Sequence, residues 1–294
     1  MDALSPEAYG NLADCEYLIS RLDIDPDIIN HTPNVKFWQR WGAGFDHVDL
    51  KAWGERGIPI ATCPGVNSGI VAELAIMLML AGYRNLLQIN RQLRAGHWPR
   101  TEYFGRSFMI KGKTVGVLGL GHIGKKVAAL ATAFGANVIY YDIVRQTEQE
   151  EKFGYRFVGF DTLLRESDIY TIHCPLNEET RGMIGAEQFA QMKPTAMLIN
   201  TARGPIVDEA ALIDALTTGK IATAGLDTYE REPLPKDHPL LTLDNVVASA
   251  HAGGNTKDND INMVNYVYHN IVAFDRGEPL NTPGDIVNGE YLKK

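Results

Sequence analysis

Apolar and polar positions along the chain fall into blocks of two different periods. From Thr114 onward, six runs are almost continuously apolar: TVGVLG (114–119), NVIYYD (137–142), DIYTIHCP (168–175), AMLINTA (196–202), IATAGLD (221–227) and NVVASAHA (245–252). The stretches between them have helical spacing, clearest at 121–134 and 208–218. In the first of these, Ile123, Val127, Leu130, Ala131 and Phe134 share one face, and Gly135 is placed to end the helix. Strands that lack alternation and are separated by helices predict a parallel sheet covered on both faces, hence a doubly wound α/β domain. Ahead of it, YLIS (17–20), VKFWQRW (35–41) and IPIATC (58–63) predict three strands of a separate, smaller sheet. A long helical pattern from about Ser68 to Gly96 is expected to bridge the two sheets. A last helix is expected from roughly Asp258 to Asp275, before a tail containing Pro and Gly.

Composition narrows the function classes. The length of 294 residues corresponds to about two domains. With 28 Lys and Arg against 36 Asp and Glu, the net charge is −8 and no dense basic run occurs, which argues against nucleic-acid or anionic-membrane partners. Cys15, Cys63 and Cys174 are odd in number and widely spaced, so neither a disulfide framework nor a metal site is expected. A reducing, cytoplasmic compartment is the matching expectation. The N-terminal MDALSPEAYGN lacks the apolar core of a secretory signal. The greasiest segment, Ile70–Tyr83, is too short to span a bilayer and carries Glu73.

Gly119-Leu120-Gly121-His122-Ile123-Gly124 follows one predicted strand directly and opens a helix. In that context the first glycine makes the tight turn and the second lets a pyrophosphate approach the backbone. The third lets the helix pack against the strand. The helix N-terminus offers free N–H groups and a positive dipole end to phosphates. Asp142 ends the next strand, about 20 residues on, where a carboxylate accepts hydrogen bonds from ribose hydroxyls and repels a 2′-phosphate. NAD is therefore favoured over NADP. Arg145 is the one neighbour that pulls the other way, unless it is simply solvated.

Further polar residues stand at predicted strand ends: Arg203 in NTARG, Asp227 and Glu232 in GLDTYEREP, and His251 in SAHAGG. Singly, each reads as an ordinary turn or surface residue. Together with TIHCPLNEET (171–180), LINTARGPIVDEAAL (198–212), GLDTYEREPLP (225–235), SAHAGGNT (249–256), GAGFDHVD (42–49) and NSGIVAE (67–73), they closely resemble the D-isomer-specific 2-hydroxyacid dehydrogenases in order and spacing, over nearly the whole chain. The resemblance implies a Rossmann cofactor domain over residues 83–256. This domain would be inserted into a flavodoxin-like α/β substrate domain over 1–82 and 257–294. It implies NAD-linked interconversion of a 2-keto acid and a D-2-hydroxy acid, with His251 as proton donor and acceptor, Glu232 orienting it, and Arg203 binding substrate. Imidazole titrates near neutral pH, and guanidinium is a two-pronged donor, so the residue types suit those roles. Gly42, Ala43 and Gly44 would hold the substrate carboxylate through backbone N–H groups. Cofactor contacts are implied for Gly119, Gly121, His122, Ile123, Gly124, Asp142, Cys174, Pro175 and Thr180, and for Thr201, Ala202, Arg203, Asp227 and Gly253. His173 lies near the implied nicotinamide position, where packing is a better account than proton transfer. A homodimer through the cofactor domain is implied as well, using the helix after Tyr83 and the RAGHW arm (94–98).

Two departures from the family pattern stand out. Glu232 replaces the Gln of formate dehydrogenases, which disfavours formate oxidation. Relatives usually place a strand, a helix and another strand before the segment matching LADCEYLIS, so the smaller domain looks N-terminally truncated by two strands. Two alternatives to the enzyme remain open at this point. One is a dinucleotide-sensing protein akin to the corepressors that share the fold. The other is an inactive, truncated relative. Trp38, Trp41, Phe45 and the region from Trp98 to Phe104 are expected to shape the pocket. Trp41 favours an uncharged substrate tail, while phosphoglycerate dehydrogenase remains a possible identity.

Overall fold

The computed structural model describes residues 12–21 and 26–292, which form two compact units. One unit combines residues up to Asn67 with those from Asn255 onward, and the other is Ser68–Gly254. The divisions therefore fall at 67/68 and 254/255 instead of the expected 82/83 and 256/257. The expected N-terminal truncation of the smaller domain falls on residues 1–11, which lie outside the described residues.

In the first unit, β1 (Tyr17–Ser20), β2 (Phe37–Arg40) and β3 (Ile60–Ala61) form a parallel sheet in that order, with α1 (Ile28–His31) and α2 (Leu50–Glu55) in the connections. Leu18, Ile28, Val35, Trp38, Trp53 and Ile58 make its core. Trp38 is fully buried, 4.8 Å from the Trp53 ring, and donates from Nε1 to Ser20 Oγ at 3.0 Å. It is thus a core residue, and the expectation that it shapes a pocket is corrected. The C-terminal helix Lys257–Arg276 lies on β2, where Phe274 stacks on Phe37 at 4.4 Å. The tail beyond it closes the outer edge of β3. Ala61 bridges Ile286 in antiparallel fashion, Ile60 N–H donates to Asn288 Oδ1 at 2.8 Å, and Asn288 Nδ2 donates to Ile58 O at 2.9 Å. Pairing an edge in this way removes the open backbone groups that invite aggregation. The Gly42–Gly44 loop follows β2, with Gly42 at φ +149°. Its carbonyls accept from Cys63 N at 2.8 Å and from Arg40 Nε at 3.3 Å.

The second unit begins with α3 (Ser68–Tyr83) and α4 (Leu86–Arg94). The alternating part follows: β4 (Thr114–Leu118), α5 (His122–Ala133), β5 (Asn137–Tyr141), α6 (Thr147–Phe153), β6 (Arg156–Phe157) and α7 (Phe160–Glu166). It continues with β7 (Ile169–Ile172), α8 (Ala186–Gln191), β8 (Met197–Asn200), α9 (Glu209–Thr218), β9 (Thr223–Leu226) and β10 (Val246–Ala248). All seven strands are parallel, in the order β10-β9-β8-β7-β4-β5-β6. The chain winds outward from β4 through β5 and β6, then crosses back to β7 on the other side of β4. The crevice at the carboxyl ends of β4 and β7 is therefore the topological switch point. Ala72, Ala75, Leu78 and Met79 of α3 pack with Val115, Val117 and Ile199 in one core on this sheet, so α3 belongs to the second unit. A break at Arg84-Asn85 separates it from α4, where Asn85 takes φ +51°. Among the described residues, no single helix is long and apolar enough to cross a membrane.

At the sheet end opposite the switch point, Asp168 joins β4, β7 and the β8 approach. Its Oδ2 accepts from Thr114 N at 2.8 Å and its Oδ1 from Lys193 Nζ at 2.8 Å. Burial works to raise the Asp168 pKa, but the Lys193 and Thr114 donors outweigh it and hold the carboxyl below its ordinary value. A depressed carboxylate pKa contributes stability that is present above the unfolded value and lost as pH falls through the folded one. Asp168→Asn is expected to cost about 1–2 kcal/mol in urea unfolding at neutral pH. The gap from wild type should shrink as pH drops below about 4. A gap independent of pH would show that the charge is not what matters.

Candidate active site

The glycine loop has a distinct steric role for each glycine. Gly119 takes φ +90°, and a Cβ there would stand 2.7 Å from Cys174 N. A Cβ on Gly124 would collide with the Gly119 carbonyl oxygen, so α5 can approach β4 only with glycine at this position. Gly121 caps α5 with extended backbone, and a Cβ there would meet nothing within 4 Å. Open space of this kind, at the N-terminus of a twelve-residue helix, is what a phosphate needs. Asp142 follows β5. Its Oδ2 accepts from Leu120 N at 2.6 Å and its Oδ1 from Val144 N at 3.0 Å, which fixes the carboxylate beside the loop. His122 is exposed and Ile123 half-buried, at the first turn of α5.

After β7, Thr180 closes a turn with Asn177 and donates from Oγ1 to Pro175 O at 2.8 Å. Burial pushes the Cys174 thiol up to about 11, so it is inert as a nucleophile. His173 is paired through Nε2 to Thr171 Oγ1 at 2.8 Å, its Nδ1 has no partner, and burial pushes it down to about 3. It stays neutral and cannot carry a proton near physiological pH. After β8, Asn200 braces the turn: its Oδ1 accepts from Ala202 N at 3.0 Å, and its Nδ2 donates to Arg203 O at 2.9 Å. Thr201 is buried with an unpartnered hydroxyl. An orphaned hydroxyl at the carboxyl end of β8, on the same edge of the parallel sheet as the glycine loop after β4 and Asp142 after β5, suits a bound dinucleotide with polar edges.

Arg203, Glu232 and His251 come together. His251 Nδ1 lies 2.7 Å from Glu232 Oε2, and Glu232 Oε1 accepts from Tyr229 N at 3.0 Å. The Glu232 hydrogen bond raises the His251 pKa above the ordinary histidine range, against the opposing effects of burial and of the Arg203 charge. Burial works to raise the Glu232 pKa, but the His251 and Tyr229 donors overcome it and, with the Arg203 charge, keep it an ionised carboxylate. Arg203 itself is half-buried and donates from Nη1 to Ala202 O at 2.7 Å.

His251 has φ +49°, a left-handed conformation that costs a non-glycine residue of order 1–3 kcal/mol. Buried Asp227 holds it there. The backbone carbonyl of Asp227 accepts from His251 N at 2.8 Å. Its Oδ1 accepts from Ser249 Oγ at 2.5 Å and Ala252 N at 2.9 Å, and its Oδ2 accepts from Gly253 N at 2.9 Å. Asp227 and Gly253, read from the sequence as cofactor contacts, also build this scaffold. Three supports were not singled out from the sequence. Ser249 and Tyr229 lie within quoted motifs, and Tyr229 donates from its hydroxyl to Ser249 O at 2.7 Å. Glu209 accepts from Glu230 N at 3.2 Å and pairs with His238 at 3.0 Å, which ties the Glu232 loop to α9. Gly42, Ala43 and Gly44 belong to the other unit and are described there.

A family model described as the NAD-binding domain of D-isomer-specific 2-hydroxyacid dehydrogenases matches residues 76–253. The chain is 39% identical over 284 residues to a glyoxylate reductase of Korarchaeum cryptofilum, covering 95% of this chain and 85% of that protein. It is 42% identical over 261 residues to a D-3-phosphoglycerate dehydrogenase of Archaeoglobus fulgidus, covering 89% of this chain and 49% of that one. Among solved structures, a D-lactate dehydrogenase from Aquifex aeolicus complexed with NAD and lactic acid superposes with a TM-score of 0.86. It shares 29% identity, over 96% of this chain and 89% of that one.

The two histidines give a test that needs no ligand. In NMR titrations, His251 is expected to titrate above the ordinary histidine value and to fall toward or below it in Glu232→Gln, while His173 shows no titration between pH 5 and 9. A His251 midpoint unmoved by Glu232→Gln would remove the carboxylate as the cause.

Proposed function

The chain belongs to the D-isomer-specific 2-hydroxyacid dehydrogenase family, and from that premise we propose that His251, Glu232 and Arg203 carry its NAD-dependent interconversion of a keto acid and a hydroxy acid. The supporting observation is the 2.7 Å contact that ties one His251 ring nitrogen to Glu232 and leaves the other for substrate, within reach of the Arg203 charge. The glycine loop, Asp142 and the residues after β7 and β8 would hold the dinucleotide, which supplies the hydride when bound. His251 Nε2–H donates a proton to the substrate carbonyl oxygen as negative charge grows there. Glu232 stabilises the imidazolium beforehand and keeps the ring in one orientation. Arg203 presents a planar pair of donors to the substrate carboxylate and carbonyl oxygen.

The substrate we favour is a small 2-keto acid with an uncharged tail, of the glyoxylate and hydroxypyruvate class. The glyoxylate reductase matches over most of its length, whereas the phosphoglycerate dehydrogenase is about twice as long as the matched region. A cytoplasmic setting is proposed from the cysteine pattern, and neither Cys63 nor Cys174 enters a disulfide.

We also propose a homodimer through the second unit. No residue of the nine-residue α4 is buried, although Leu86, Leu87 and Leu93 lie on it. A groove of about 680 Å³ lined by Ile76, Met77, Leu80, Leu86, Ile89 and Leu130 runs between α3 and α4. Trp98 is 78% exposed and Phe104 86%. An apolar groove that Glu73 and Arg84 also line suits a second copy better than water.

With NADH, glyoxylate or hydroxypyruvate is expected to turn over fastest, and a phosphorylated keto acid poorly. His251→Ala should lower kcat/KM by about 10²–10⁴ while NADH affinity is kept. For reduction, kcat/KM should fall as pH rises through the elevated His251 pKa, and Glu232→Gln should move that fall to lower pH. Binding of NADH without reduction of any 2-keto acid, or an inert His251→Ala, would sink the assignment. Sedimentation should report twice the chain mass, and Leu86→Glu should shift it to the single-chain mass. A wild type that sediments as a monomer would rule the dimer out.

A further inference from the structure

Arg145 is the only Arg or Lys between Asp142 and Glu151, and so the cation of the loop that follows β5. A guanidinium placed there would ordinarily welcome a 2′-phosphate. In this structure it is already engaged. Arg145 Nε donates to Glu150 Oε1 at 2.9 Å and Nη2 donates to Oε2 at 2.8 Å, a two-pronged pair. The guanidinium also lies 5.6 Å from the centre of the Phe157 ring. Glu150 is held in turn: its Oε1 accepts from the Tyr140 hydroxyl at 2.7 Å, and that hydroxyl accepts from Gln146 N at 2.8 Å. Hydrogen bonds from Arg145 and then Tyr140 bring the Glu150 carboxyl down to about 2, so it is ionised at any working pH.

We propose that Glu150 is a specificity-determining residue, which withholds Arg145 from the cofactor's 2′-position and so extends the discrimination that Asp142 begins. This rests on the NAD reading of the site. Neither residue enters the hydride or proton steps. The lock lies outside the glycine fingerprint and is reached only through the turn of α6.

The test is direct binding of NADH and NADPH to the full chain, by calorimetry or by fluorescence of the reduced nicotinamide. Glu150→Gln, which keeps the side-chain shape and a partner for Tyr140, is expected to raise NADPH affinity about tenfold or more by freeing a charged donor, with NADH affinity essentially unchanged. Glu150→Ala should behave alike, and Glu150→Gln combined with Arg145→Ala should return NADPH binding to the wild-type value. A wild type that prefers NADH, with a ratio unmoved in both Glu150 variants, overturns the proposal alone. A double variant that keeps the gain also overturns it, since the gain would then come from removing charge and not from releasing Arg145. Equal wild-type affinities for the two cofactors would overturn the NAD reading and the proposal with it.

Discussion

The Asp227 carboxylate is the constraint on which the site depends. It lies at the end of β9, buried, and four donors from the segment after β10 converge on its side chain and backbone. That convergence holds His251 in a left-handed conformation which an isolated histidine would leave. The imidazole consequently projects toward Glu232, and the ring is aligned before any substrate arrives. The arrangement places the chemistry on short segments anchored directly to strand ends, where sub-ångström positioning is feasible.

The same economy of distance governs the other segments. A Cβ at Gly204 would collide with the backbone of Tyr229 and Glu230, so the turn carrying Arg203 and the loop carrying Glu232 are in direct contact. At the switch point, Gly119 and Gly124 let β4, α5 and the segment after β7 approach to backbone distance. The parallel sheet thus gathers residues from distant parts of the sequence along one edge, and glycines mark where two backbones meet.

Much of this was legible in the sequence because a parallel sheet buried on both faces writes each strand as an unbroken apolar run. Six such runs from Thr114 onward became six strands, with ends trimmed by a residue or more. The two-residue β6 escaped because an edge strand of that length leaves no run, and α6, α7 and α8 span too few turns to show a period. The domain boundary was misjudged because α3 is apolar on nearly every face and so does not say which sheet it covers. The clustering of Arg203, Glu232 and His251 was readable from their motifs, but the hydrogen bonds that Asp227 gathers from the segment after β10 were not: sequence places a carboxylate at the strand end without showing which backbone groups reach it. The Glu209–His238 tie joins residues 29 positions apart, a spacing with no local signature. Trp38 misled for a related reason, since adjacency to a loop motif says nothing about which face of β2 a side chain takes.

The antiparallel closure of β3 by the tail has a consequence for how the protein is made. The first unit needs the helix Lys257–Arg276 on β2 and Asn288 against Ile58 and Ile60, all supplied by residues translated after the second unit. Residues 68–254 are contiguous, and at roughly 5–20 residues per second they emerge seconds before that tail does. Strands β1, β2 and β3 are therefore translated before the second unit yet complete their packing after it, and during elongation their apolar side chains need shelter.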